Sequence, residues 1–150
     1  MELKVGDKVP EFTAEDTNGN IFHSHDVIGK KPVVLYFYPK DNTPGCTAQA
    51  CSFRDQYEDF SDLGAEVIGI SSDSVASHQK FTKQYKLPFI LLSDANKKIR
   101  KLFGVPTGMF GLLPGRVTYV INKEGIITMV FDSMLATKHI AKALEAIKKN

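Results

Sequence analysis

Cysteine is scarce in this chain: 150 residues hold only Cys46 and Cys51. That scarcity excludes a disulfide-stapled fold, and a chain of this length needs none, because it can bury roughly 70% of its unfolded surface. Long apolar runs are absent too, and nothing approaches the ~20 residues of a membrane span, so no membrane partner is expected. The start, Met1-Glu2-Leu3-Lys4, has neither the apolar core of a signal peptide nor an Arg/Ser-rich transit segment. A cytoplasmic protein is therefore the first expectation. Charge of one sign is also missing: 19 Lys and Arg stand against 17 Asp and Glu, a formal net charge of +2. Nucleic-acid partners usually show as a clustered basic patch, and none is present. The pair Lys148-Lys149 reads as a solvated helix end, where cations suit the dipole. There is no repeat, low-complexity stretch or interdomain linker, so residues 1–150 are expected to form one domain.

The most apolar stretch, Pro32 to Tyr38, is a continuous run of β-branched and aromatic residues. It predicts a central strand buried on both faces. It leads into Pro39-Lys40-Asp41-Asn42-Thr43-Pro44-Gly45-Cys46, a turn punctuated by proline and glycine. From Cys46 to Leu63 the spacing is helical, with Ala50, Phe53, Tyr57, Phe60 and Leu63 recurring until Gly64 stops it. A strand thus ends in a turn that sets a cysteine at the start of a helix. Unpaired backbone N–H groups and the helix dipole favour negative charge there, and hence a reactive thiolate. The same residues also describe a plain turn with a buried, inert cysteine, and composition does not choose between the two.

The remaining elements are legible in outline. Asp16-Thr17-Asn18-Gly19-Asn20 predicts the tip of an N-terminal β-hairpin. His23 and His25 would share one strand face, as a metal pair does, but no third ligand lies nearby in the sequence and a solvated edge is the better reading. Glu66 to Ser71 reads as a second buried strand, and Ser74 to Tyr85 as a capped helix. A short strand over Phe89 to Leu92 is followed by a helix opening at Ser93-Asp94 and ending at Gly104. Pro106 to Gly115 is a loop with many apolar residues, for which plain packing is the default and a cover over the site or a docking patch the alternative. Arg116 to Ile121 and Ile126 to Phe131 form strands around an Asn122–Gly125 turn, and Thr137 to Lys149 an amphipathic helix. Arg54 and Glu58 are spaced for an i,i+4 pair. Strands separated by helices give an α/β class.

Pro39, Thr43 and Cys46 reproduce the Pro-x-x-x-Thr-x-x-Cys motif of peroxiredoxins. The wider run from Phe37 to Cys51 resembles the peroxiredoxin Q subfamily, also called bacterioferritin comigratory protein, and the resemblance covers nearly the whole chain. It implies a thioredoxin-like fold: a central mixed β-sheet flanked by helices, with the N-terminal hairpin. It further implies a peroxidase of hydrogen peroxide and alkyl hydroperoxides with Cys46 as nucleophile, Pro39 shielding the sulfur and Thr43 beside it. Arg116, by itself a plain strand-edge charge, becomes the cation that holds sulfur and peroxide. Cys51 becomes the resolving thiol. No cofactor or metal is implied. Thioredoxin is the expected electron donor, a monomer the expected state, and a plastid the alternative compartment. Gln49 departs from the Glu of many relatives, a change not expected to matter.

Helix geometry constrains that cycle. Five residues along an α-helix put Cα atoms roughly 8 to 9 Å apart, beyond the about 7 Å that a disulfide tolerates. A Cys46–Cys51 bond therefore requires the helix to unwind. A disulfide exchanger of the same fold would use Cys-x-x-Cys, which is absent. A redox-regulated binding protein is the remaining alternative, although it needs no peroxide-binding cation.

Overall fold

The computed structural model describes residues 3–105, 107–108, 113–114, 116–133 and 138–149. The chain forms, in order, β1 (Thr13–Asp16), β2 (Ile21–His23), β3 (Val33–Phe37), α1 (Pro44–Asp55), α2 (Tyr57–Asp62) and β4 (Glu66–Ser71). It continues with α3 (Val75–Tyr85), β5 (Ile90–Ser93), α4 (Lys98–Phe103), β6 (Thr107–Gly108), β7 (Leu113–Pro114), β8 (Val117–Ile121), β9 (Ile127–Asp132) and α5 (Lys138–Lys149). Seven strands make one mixed sheet in the order β2-β1-β5-β4-β3-β8-β9. Strands β3, β4 and β5 are parallel, while β8 and β9 extend the sheet antiparallel beyond β3.

All five residues of β3 are buried, and its two-residue period divides the core. Val34, Tyr36 and Tyr38 join Phe53, Phe60, Phe81 and Ile140 in one apolar layer, whereas Val33, Leu35 and Phe37 join Ile99, Phe103 and Tyr119 in the other. A strand apolar on both faces needs cover on both, which the helices supply. Each large side chain so buried contributes about 1.5–3 kcal/mol. The expected hairpin is present: β1 pairs antiparallel with β2, Asp16 Oδ1 accepts from the amides of Asn18 and Asn20, and Gly19 takes a φ of +80°.

Gly69 shows how tight the centre is. It pairs with Tyr36 on β3 and Leu91 on β5, and a Cβ there would lie 2.8 Å from Leu91 Cδ2 and 2.9 Å from Tyr36 Cζ. Gly69→Ala is expected to destabilise the fold by about 1–3 kcal/mol, measured as a lower urea midpoint at unchanged slope.

Four local expectations need correction. The helix expected from Cys46 to Leu63 starts at Pro44 and breaks at Gln56 (φ −107°, ψ 10°). No proline or glycine marks the break, and Phe53 and Phe60 still reach one core layer across it. The Arg54–Glu58 pair is not formed: Arg54 instead binds the Asp55 carboxylate and the Tyr85 carbonyl, at 3.0 and 2.8 Å. The helix expected to open at Ser93-Asp94 begins at Lys98, because the Asp94 carboxylate accepts from the Ile99 and Arg100 amides, both at 2.9 Å, across an intervening turn. His23 ends β2, but His25 lies in a 3₁₀ turn, and both rings are exposed at the sheet edge. Pro106, residues 109–112, Gly115 and Thr137 lie outside the described residues, and with them most of the apolar loop.

Candidate active site

Between β3 and α1 the turn resolves a steric problem: the chain must reverse and start a helix within six residues of Tyr38. Asn42 does so with a φ of +61°, a conformation that asparagine tolerates better than most residues. Thr43 is then extended at the helix N-cap and Pro44 opens the helix, where its fixed φ fits and no N–H is wasted. The Thr43 hydroxyl makes no cap; it donates to the Lys40 carbonyl at 2.9 Å. The first-turn amides of Gly45 and Cys46 therefore have no side-chain cap from Thr43 at the helix N-terminus. With its proton committed to Lys40, the Thr43 hydroxyl has only its lone pairs left to offer, as an acceptor.

Cys46 is buried, at 1% exposure, and is a free thiol. The Arg116 guanidinium, also buried, donates through Nη2 to Cys46 Sγ at 3.3 Å. It donates through Nη1 to Gln49 Oε1. Gln49 sits one turn beyond Cys46 and is fully buried. One planar fork thus spans the nucleophile candidate and a neutral acceptor. Glycine at position 45 leaves room for it: a Cβ there would lie 3.1 Å from Nη2. The Nε atom of Arg116 and the Nε2 atom of Gln49 are buried without a hydrogen-bond partner among the described residues. Burial, and then the neighbouring Cys46, hold the Tyr36 phenol well above the ordinary tyrosine range.

The structure brings Arg116 and Cys46 into contact, as the resemblance implied. Pro39 stands half-buried directly after Tyr38, and Thr43 at the N-cap. Cys51 is half-buried in the same α1 and also a free thiol. On helical geometry the Cα atoms of Cys46 and Cys51 lie roughly 8 to 9 Å apart while α1 is intact. Sequence reasoning undervalued Gln49, read there only as a lost charge; its i+3 spacing from Cys46 was the available signal. It also missed the support of the turn from below. Asp41 Oδ1 accepts from the Tyr38 hydroxyl at 2.5 Å, and Oδ2 accepts from Ser77 Oγ at 2.8 Å and lies 2.7 Å from His78 Nδ1. The Asp41 amide donates to Asp73 Oδ2 at 2.8 Å. Burial, and then Asp41, push the Tyr38 phenol well up, so it remains a donor. Arg100 from α4 donates to the Tyr38 carbonyl at 3.4 Å, with its guanidinium over the Phe37 ring. Asp41, Asp73 and His78 come within reach of a common metal ion, but their facing oxygens are already engaged by these protein donors.

A family model described as AhpC/TSA family matches residues 5–130. The chain belongs to the AhpC/TSA family, in its peroxiredoxin Q branch. Peroxiredoxin Q, chloroplastic, of Triticum aestivum is 51% identical over 98% of this chain and 68% of its own length. That of Arabidopsis thaliana is 52% identical with the same coverage. Among solved structures, peroxidoxin BcpB from Mycobacterium tuberculosis superposes with a TM-score of 0.90 at 36% identity, covering 99% of this chain and 98% of that one. A bacterioferritin comigratory protein from Xanthomonas campestris, studied for alkyl peroxide reduction, gives 0.84 at 28% identity over 95% and 98%. The peroxiredoxin therefore has the expected thioredoxin-like fold, and it is a peroxidase enzyme.

Proposed function

We propose that this peroxiredoxin reduces hydrogen peroxide and alkyl hydroperoxides through a two-cysteine cycle within one chain. The observation that carries the reading is the 3.3 Å bond from buried Arg116 to Cys46 Sγ at an uncapped helix start. A fixed cation there donates to the sulfur and stabilises charge on a peroxide in transit. The Cys46 thiolate attacks the nearer peroxide oxygen. An S–O bond forms as the O–O bond breaks, and the departing alkoxide or hydroxide takes up a proton. Cys46 is left as a sulfenic acid. Arg116 and the Gly45 and Cys46 amides act on the developing charge, the Thr43 hydroxyl accepts the peroxide O–H, and Pro39 limits solvent access.

Cys51 then resolves: its sulfur bonds to Cys46 Sγ and water leaves. Because both cysteines lie in α1, the first turns of the helix unwind for this step, which exposes the disulfide. Thioredoxin supplies the two electrons that restore both thiols. The cycle needs one domain, residues 1–150, acting as a monomer. For the compartment, the chloroplastic names of the relatives support the plastid alternative, while the cytoplasmic expectation is carried by the sequence alone.

The test is stopped-flow oxidation of the reduced protein by hydrogen peroxide with mass analysis. Wild type is expected to form one internal disulfide rapidly, and Cys51→Ser to stall at a sulfenic acid on Cys46 and to lose thioredoxin-dependent turnover. A Cys46 that reacts no faster than a free thiol overturns the reading.

A further inference from the structure

His78 is completely buried on α3, and both of its ring nitrogens face groups that ordinarily accept. Nε2 lies 3.0 Å from the Leu92 carbonyl, and Nδ1 lies 2.7 Å from Asp41 Oδ2. A carbonyl cannot donate, so Nε2 carries a hydrogen. A neutral imidazole of that tautomer leaves Nδ1 bare, opposite a carboxylate at hydrogen-bonding distance. Two lone pairs facing each other in a buried site would forfeit the bond and strand both groups. The contact therefore contains a second proton, on Nδ1 or on Oδ2, and the pair is neutral as a unit.

We propose that this proton-bridged Asp41–His78 pair is a positioning device for the peroxide step, clamping the turn that carries Pro39 and Thr43. The inference rests on the reading of Cys46 as the peroxide-reactive thiol. Asp41 is the one turn residue tied down on every side: to Tyr38 of the turn's own strand, to Ser77 and His78 of α3, and through its amide to Asp73 after β4. A second strap reinforces it, since Asn42 Nδ2 donates to Gln84 Oε1 of α3 at 3.3 Å. His78 passes the restraint to β5 through Leu92. Lys40 precedes Asp41, and its carbonyl receives the Thr43 hydroxyl. A shift of Asp41 therefore moves the group that meets the peroxide. Neither Asp41 nor His78 touches sulfur or substrate; they act through the turn.

The test uses the full chain. Ring-nitrogen NMR on the reduced wild type is expected to show a hydrogen-bonded proton bridging Nδ1 and the carboxylate, besides the one on Nε2. His78→Phe is expected to slow peroxide attack on Cys46 by about 10- to 100-fold, the scale of a small misplacement of reacting groups. His78→Asn keeps a donor where Nδ1 stood and is expected to restore most of that rate, although it gives up the bond to the Leu92 carbonyl. Should His78→Phe fail to fold, Asp41→Ala decides the same question by its attack rate. An absent bridging proton overturns the proposal. So do variants that fold and attack at the wild-type rate, and so does a slowdown that follows the unfolding midpoint and ignores the restored donor. If wild-type Cys46 is itself unreactive, the cycle proposed above fails instead, and the ring spectrum still reports on the pair.

Discussion

Replacing Arg116 with methionine is expected to slow the attack of Cys46 on hydrogen peroxide by about 100- to 1,000-fold, the range for losing one aimed donor at a site of developing charge. Methionine keeps much of the length and apolar stem, so the packing loss is small beside the loss of charge. Two bonds disappear together, Nη2 to Cys46 Sγ and Nη1 to Gln49 Oε1. The second leaves a buried amide oxygen unpaired, which adds a stability cost of about 1–3 kcal/mol. Arg116→Lys is the sharper variant. It retains the charge, but a single ammonium on a flexible stem does not span the sulfur and Gln49 as the planar fork does. Lysine is therefore expected to recover only a minor part of the rate. Stopped-flow rates for the three proteins at one pH separate the cases. Full recovery in Arg116→Lys would mean that charge alone matters, and an unchanged rate in Arg116→Met would remove the arginine from the reaction.

How the site is assembled explains which parts of it could be read beforehand. The strand, turn and helix around Cys46 are contiguous, and each carries a local signal: the apolar run of β3, the prolines and glycine of the turn, the three- and four-residue spacing of α1. Arg116 is 70 residues from Cys46, and no local pattern distinguishes it from a surface charge; only the family resemblance picked it out. Sheet register does the rest. Phe37 pairs with Val117, so Arg116 arrives beside the end of β3, where the turn begins. Asp41 and His78 were illegible for a related reason. An aspartate between lysine and asparagine reads as solvated, and a histidine 37 residues away has no visible link to it. Their burial is created by α3 packing under the turn. The break at Gln56 has no sequence signal, and the late start of α4 depends on a carboxylate reaching over five and six residues. Gln49 was visible but undervalued: a neutral side chain reads as a lost charge until its oxygen is found against the arginine.

A second buried histidine ties the Arg116 strand to the last helix, and it sets a pH limit on the fold. His139 of α5 donates from Nε2 to the Ser133 carbonyl at 2.6 Å, and its Nδ1 lies 2.7 Å from Thr118 Oγ1. The hydroxyl donates and a neutral imidazole accepts. Burial, opposed by the Ser133 bond and assisted by the nearby Arg116 charge, lowers its pKa from 6.5 to about 4. Between those values the unfolded chain binds a proton that the folded chain refuses, so stability falls as pH drops through that window and is fully present above 6.5. The loss at the bottom of the window is on the order of 3 kcal/mol. His139→Gln removes the titrating group, so the variant, though less stable at neutral pH, is expected to lose less on acidification. The carboxylates common to both proteins cancel in the comparison. Urea unfolding of wild type and variant at neutral pH and near the lower edge of the window measures the difference, and a gap that stays constant with pH would sink the account. The site is coupled to this titration. The Ser133 amide donates to the Arg116 carbonyl at 3.2 Å, and Thr118 is two residues beyond that arginine. Protonating His139 makes Nδ1 a donor, so the Thr118 hydroxyl must turn its proton away and accept, a rearrangement two residues from the arginine that binds Cys46.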